Sequence, residues 1–209
     1  MTFDKQLVAG KLRRWEKYLN DYSLPAWEEI PNFGLYMDQV VTLLREYLDY
    51  FPPEFKEDQV ITPAAINNYV RKKSMPEPVK KKYYRLHIAY LIIICSLKQS
   101  LSIPTLQTMI PPDLTEEELR AVYCAYVERH RIACVYFIRQ IRDMSARILD
   151  HEQVPEFAAE NTSDLIYTVA VASGIARLLA EKLLLLEGKT LENGGSIEPR
   201  EPALGRREN

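Results

Sequence analysis

Apolar residues recur at helical spacing along most of the chain, and proline or glycine falls mostly between these stretches. In residues 3–22, for example, Val8, Leu12, Trp15 and Leu19 follow one another at steps of three or four and share one helix face. The same pattern predicts helices over residues 3–22, 36–50, 62–73, 83–100, 102–110, 115–149 and 163–186.

The most apolar stretch, residues 83–100, contains the β-branched run Ile92, Ile93 and Ile94. Such a run would also suit a buried strand, but the length of the stretch and its lack of turn signals favour a buried helix. No alternation of apolar and polar residues elsewhere requires a sheet. The sequence therefore predicts an all-α fold.

Local signals mark where several helices begin. Thr62 precedes Pro63, so a hydroxyl can cap the helix while proline takes the first helical position, where no N–H is needed. Thr115 is followed three residues later by Glu118, which is a capping box. Residues 188–209 contain four of the seven glycines and hardly any large apolar residue, so we expect a disordered tail.

Composition narrows the class of protein. Hydrophobic residues make up 47% of the 209 residues and charged residues 27%, which is typical of a folded chain. The three cysteines form no disulfide pattern, and the first residues lack a basic segment followed by an apolar core, so we expect a cytoplasmic protein. The apolar stretch 87–97 is too short to cross a bilayer, and charged residues interrupt 165–186.

Basic residues are concentrated in one segment. Residues 66–85 contain seven lysines and arginines against one acidic residue, although the whole chain has a net charge of −2. These basic residues are Arg71, Lys72, Lys73, Lys80, Lys81, Lys82 and Arg85. An acidic chain with one concentrated basic segment is suited to a local contact with a polyanion.

The predicted helix 62–73 has two distinct faces. Ile66, Tyr69 and Val70 should pack inward, whereas Asn67, Asn68 and Arg71 share the opposite face with Ala64. Small and polar side chains of this kind suit the DNA major groove, where Asn can pair with an adenine edge and Arg with a guanine edge. The three lysines 80–82 would hold phosphates. A solvated helix face beside a basic loop remains the simpler interpretation.

The segment from Thr62 to Ile110 contains, in order, the elements AINNYVRK, SMPEP, KKKYYR, LHIAYLIIICSLKQSL and SIPTLQTMI. In this order and spacing it resembles the MerR-type winged helix-turn-helix of bacterial regulators. In that family a recognition helix precedes an apolar–proline wing, a Tyr-Arg element, a long helix and a short Ser-initiated helix. The chain is similar to a bacterial family that carries this MerR-like module within a longer helical protein.

The resemblance implies a role for each matching position. Asn67, Asn68 and Arg71 would face the groove, and Tyr69 would be partly structural. Lys72 and Lys73, which belong to the basic segment, complete the predicted set of DNA contacts in this helix. Wing or DNA-backbone contacts would come from Lys80, Lys81, Lys82, Tyr84 and Arg85. The chain departs from the family at Asn67-Asn68-Tyr69, where Arg-Tyr-Tyr is usual, and upstream, where a longer helix and the linker 52–61 replace a compact helix.

These expectations define four regions: an N-terminal helical arm (1–34), a MerR-like helix-turn-helix domain (35–112), a helical dimerisation or effector region (113–187) and the tail (188–209). We expect a transcriptional regulator that binds double-stranded DNA as a homodimer, because one short recognition helix reaches only a few base pairs. The alternative is a protein-interaction adaptor that uses the same scaffold without specific DNA binding.

Other candidate sites are weaker. His130 and Cys134 share a helix face at metal-ligand spacing, but two ligands do not make a site, and Cys124 points elsewhere. The acidic residues at positions 116–118 are typical of the first turn of a helix, where the helix dipole favours them, rather than of catalytic carboxylates. Core packing accounts for most of the tyrosines, and the alternative is a ligand pocket lined by Tyr123, Tyr126, Tyr136 and Tyr167. No catalytic motif is found, so we expect no enzyme, cofactor or metal.

Overall fold

The computed structural model describes residues 4–50 and 61–184. Within these ranges the protein is helical, and its only β pairings are isolated bridges. The α-helices are α1 (Lys5–Asp21), α2 (Met37–Tyr47), α3 (Pro63–Arg71), α4 (Arg85–Leu97), α5 (Ile103–Met109), α6 (Glu116–Met144) and α7 (Thr162–Leu184), and a 3-10 turn covers Trp27–Glu29. The all-α prediction is thus confirmed for the described residues.

The helix starts follow the sequence signals. Thr62 caps α3, Ser102 caps α5, and Thr115 forms the expected capping box with Glu118 at the start of α6. Helix α6 ends at Met144, five residues before the predicted end, and turns follow it. The predicted tail and residues 52–60 of the predicted linker 52–61 lie outside the described residues.

The chain divides into two units, Met1–Ala170 and Val171–Asn209. In the first unit, α4 is the central helix and packs against α2, α5 and α6. Every residue from His87 to Cys95 is buried, which explains why this stretch is apolar on all sides rather than on one face. In the second unit, the described residues 171–184 belong to helix α7.

Helix α1 packs against α6 in the first unit. A small apolar cluster joins Ala9 of α1 to Ile148, Leu149, Ala159 and Leu165. The turn that follows α6 supplies Ile148 and Leu149, so this cluster gives a physical reason for the helix to end before them. No described helix combines the length and apolar character needed to cross a membrane.

Candidate nucleic-acid interface

Helix α3 is fixed at its start and buried on one side. The Thr62 hydroxyl oxygen accepts a hydrogen bond from the Ala65 N–H at 3.1 Å, and Pro63 occupies the first helical position. Ile66 and Tyr69 are fully buried. Burial raises the pKa of the Tyr69 hydroxyl, which lies inside the protein and has no hydrogen-bond partner. The opposite face consists of Ala64, Asn67 and Arg71, which are exposed, and Asn68, which is half-buried.

Arg71 and Asn68 are held side by side on this polar face. The Arg71 Nη2 donates a hydrogen bond to Asn68 Oδ1 at 2.9 Å. A guanidinium carries five N–H donors and a side-chain amide two, so this bond leaves donors on both groups for a ligand. The structure therefore presents an amide and a guanidinium together, as the sequence predicts.

The C-terminus of α3 closes with a lysine in an unfavourable backbone conformation. The Ser74 N–H donates to Tyr69 O and the Lys73 N–H to Val70 O, each at 2.9 Å, which is the Schellman arrangement. Lys73 has φ 52°, in the left-handed region where glycine is the usual residue at this position. From α5, the Gln107 side-chain amide donates to Lys72 O (2.9 Å) and Lys73 O (3.1 Å).

Lys80 and Lys81 form the centre of a two-residue turn. Val79 and Lys82 exchange two backbone hydrogen bonds, each 3.0 Å long. Lys80 has φ 50° and Lys81 has φ 63°. Positive φ at both central residues is the requirement of a type I′ hairpin turn, which strongly prefers Asn-Gly or Asp-Gly. The exposed lysines therefore occupy positions at which Asn, Asp or Gly would be less strained.

His87 ties the segment before this turn to the start of α4. Its Nδ1 accepts a hydrogen bond from the Tyr84 N–H at 3.0 Å. The other ring nitrogen, Nε2, must then carry the proton, and it lies 3.0 Å from the Glu77 carbonyl oxygen. The buried imidazole thus fixes the backbone on both sides of the lysine turn, at residues 77 and 84.

The Arg85 side chain packs against the protein itself, unlike most of the other predicted contact residues. Its Nε donates to the Ile30 carbonyl at 2.8 Å, and its guanidinium lies 5.9 Å from the centre of the Trp27 ring. The side chain is half-buried and joins α4 to the 3-10 turn, which favours a structural role. Tyr84 is partly exposed and remains available to a ligand.

The structure also places the weaker candidates. His130 Nδ1 lies 3.7 Å from Cys134 Sγ, but no group of three metal-ligating side chains occurs among the described residues. Tyr123 is buried and its hydroxyl donates to Pro25 O at 2.8 Å, whereas Tyr136 and Tyr167 are more than 60% exposed. Side chains in such different surroundings do not form the shared pocket that the sequence left open.

Four residues that take part in this region were missed by sequence reasoning: Gly34, Tyr36, His87 and Gln107. Gln107 and His87 act through contacts with distant backbone groups, and no local pattern identifies such contacts. Gly34 and Tyr36 lie before α2, and the structure brings them to the lysine turn through the pairing of Leu35 with Tyr83. A lone glycine beside an aromatic residue was the only signal in the sequence.

Comparison with known families gives one match. In its described residues the protein is helical and combines a polar helix face with a lysine turn. Residues 25–127 match the model of DUF1836, a domain of unknown function. That range includes α2 to α5 and every residue of the candidate interface. No curated protein and no solved structure matches the chain.

Proposed function

We propose that the protein is a transcriptional regulator that binds duplex DNA with α3 and the lysine turn. In this proposal residues 35–112 form a MerR-like winged helix-turn-helix core. Asn67, Asn68 and Arg71 contact base edges in the major groove, because amide and guanidinium groups form bidentate pairs with adenine and guanine there. Lys72, Lys73, Lys80, Lys81 and Lys82 contact phosphates.

The observation that carries the proposal is the position of three lysines in left-handed backbone. Among the described residues, four other than glycine have positive φ, and Lys73, Lys80 and Lys81 are three of them. Each such residue costs on the order of 1 kcal/mol or more, and strain of this kind concentrates at functional sites. A positive charge kept at a strained position, three times within one short segment, is expected where the charge binds a ligand.

The surroundings of these lysines favour a polyanion as that ligand. Glu77 is the only acidic residue between positions 63 and 85, and it is exposed. The polar face of α3 lies in the same segment. Gln107 fixes the backbone at residues 72 and 73, and His87 fixes it at residues 77 and 84. Fixed backbone beside exposed cations reduces the entropy lost on binding.

The test is selection from a randomised duplex pool at about 0.15 M salt, the physiological ionic strength. Wild type is compared with Asn67→Ala/Arg71→Ala, and with Lys11→Gln/Lys17→Gln, which removes two exposed charges from α1. We expect wild type and the α1 variant to enrich one family of sequences and the α3 variant to lose it. Sequence-blind recovery by all three proteins would overturn the proposal and favour the protein-interaction adaptor.

A further inference from the structure

Lys82 differs from the two lysines at the centre of the turn. Leu35 and Tyr83 exchange two backbone hydrogen bonds of 2.8 Å, and both side chains are buried. In an antiparallel pair the neighbouring residues then point to the other face, so Tyr36 lies opposite Lys82. The Lys82 Nζ is accordingly 5.3 Å from the centre of the Tyr36 ring.

Gly34 makes room for the Lys82 side chain. A Cβ at position 34 would lie 2.9 Å from Lys82 Cβ, 2.8 Å from Lys82 Cδ and 3.0 Å from Tyr84 Cζ. The aliphatic part of Lys82 therefore passes directly over the Gly34 backbone. It is half-buried there, whereas Lys80 and Lys81 are exposed.

We propose that Lys82 is a pre-positioned ligand for one phosphodiester of a nucleic-acid backbone, and that Gly34 and Tyr36 are the positioning residues that hold it. This inference rests on the proposed function. An exposed lysine loses most of its rotamer freedom when it binds a phosphate, whereas a lysine packed on Gly34 has lost part of it already. The Tyr36 ring holds one side of the ammonium and leaves N–H donors for the phosphate.

Tyr36 is itself open to a ligand. Its side chain is 58% exposed, so a phosphate can approach the ammonium from the side of the ring edge. The tyrosine also directly precedes α2, whose first turn fixes its backbone through a hydrogen bond from the Tyr36 N–H to Gln39 Oε1 at 2.9 Å. The ring that holds the ammonium thus stands on fixed backbone.

A double-mutant cycle on duplex binding tests the inference. Tyr36→Leu removes the aromatic ring, Tyr36→Phe keeps it, and Lys82→Met removes the charge. We expect Tyr36→Leu to weaken binding about threefold, the size of an exposed cation–π contact, and Tyr36→Phe to leave binding unchanged. In the Lys82→Met background Tyr36→Leu should leave the affinity for duplex DNA unchanged. In a Lys81→Met background Tyr36→Leu should still weaken binding about threefold.

A second measurement needs no nucleic acid. The Lys82 Hε protons should show an upfield ring-current shift in the NMR spectrum of wild type and Tyr36→Phe, and that shift should vanish in Tyr36→Leu. Loss of the shift with no loss of binding would overturn the inference.

The outcomes separate this inference from the function on which it rests. Lysine substitutions could weaken duplex binding while Tyr36→Leu changes the affinity by the same factor with and without Lys82. In that case the inference fails and the proposed function stands. If wild type does not bind duplex DNA, or if Lys80, Lys81 and Lys82 can all be replaced without loss, both fail.

Discussion

At Lys80 and Lys81, backbone preference and side-chain charge favour different residues. The backbone favours Asn and Gly, because both φ angles are positive. A phosphate contact favours lysine. Stability and binding should therefore change in opposite directions when the turn is idealised, which an ordinary surface substitution does not do.

Lys80→Asn/Lys81→Gly should raise the free energy of unfolding by about 1 kcal/mol, because the relieved strain exceeds the added flexibility of the unfolded chain. The same variant should weaken duplex binding and reduce the magnitude of the slope of log K against log salt by about two units for each bound protomer. Urea unfolding and binding titrations at several salt concentrations measure both effects. A stabilised variant with unchanged binding would indicate that the turn lysines contact no phosphate.

At the scale of the element, the helix faces could be predicted from the sequence and the fixing contacts could not. The burial of Ile66 and Tyr69 and the exposure of Asn67 and Arg71 follow from helical periodicity alone. The contact of Gln107 with the end of α3 joins residues about 35 positions apart, and only the packed fold determines it. Periodicity therefore identifies a candidate surface without showing what holds it.

Helix α6 ends earlier than its apolar pattern predicts. Its apolar pattern continues past Met144, where the helix ends, because Ile148 and Leu149 are also buried. They are buried from a turn, against α1 and residues near the start of α7. Neither proline nor glycine marks the end of the helix, so the pattern alone predicts five residues too many.

Gln107→Leu should loosen the C-terminus of α3. The substitution removes two hydrogen bonds to the Lys72 and Lys73 carbonyls, so we expect unfolding to cost about 1 kcal/mol less. Amide hydrogen exchange should become faster at Lys73 and Ser74, whose N–H groups close the Schellman arrangement. Gln99→Leu, at an exposed position after α4, is the matched control and should leave exchange at both amides unchanged.

The packing of α1 against α6 predicts a pH dependence of stability. His130 lies among the rings of Tyr22, Tyr50 and Tyr126 and beside Cys134, and burial lowers its pKa below the ordinary value of 6.5. Burial raises the pKa of each of these four neighbours, so none of them titrates between pH 5 and pH 8. Below pH 6.5 the unfolded chain therefore binds more protons at this residue than the folded protein does, and stability falls.

Wild type should have a lower free energy of unfolding at pH 5.5 than at pH 7.5, and His130→Gln should reduce that difference by up to about 1 kcal/mol. Urea unfolding of both proteins at the two pH values provides the measurement. The comparison holds even when the substitution lowers stability overall, since only the difference between pH values is used. An identical difference in both proteins would show that His130 is not the titrating group.

For DNA binding by the whole molecule, the position of the basic residues matters more than the net charge. The chain has a net charge of −2, so long-range attraction to DNA is weak and binding depends on local contacts of the basic segment. A single short helix contacts only a few base pairs, and useful affinity then requires two copies on one DNA molecule. We therefore propose that the DNA-bound form is a homodimer.

This proposal fixes the salt dependence of binding quantitatively. If each protomer neutralises five phosphates with Lys72, Lys73, Lys80, Lys81 and Lys82, the slope of log K against log salt is about −4.5 for a monomer and about −9 for a dimer. Sedimentation equilibrium of the complex with a selected duplex gives the stoichiometry independently. A 2:1 complex with a slope near −9 is the expected result. A 1:1 complex with half that slope would contradict the dimer but keep the phosphate contacts, because the slope per bound protomer would be unchanged.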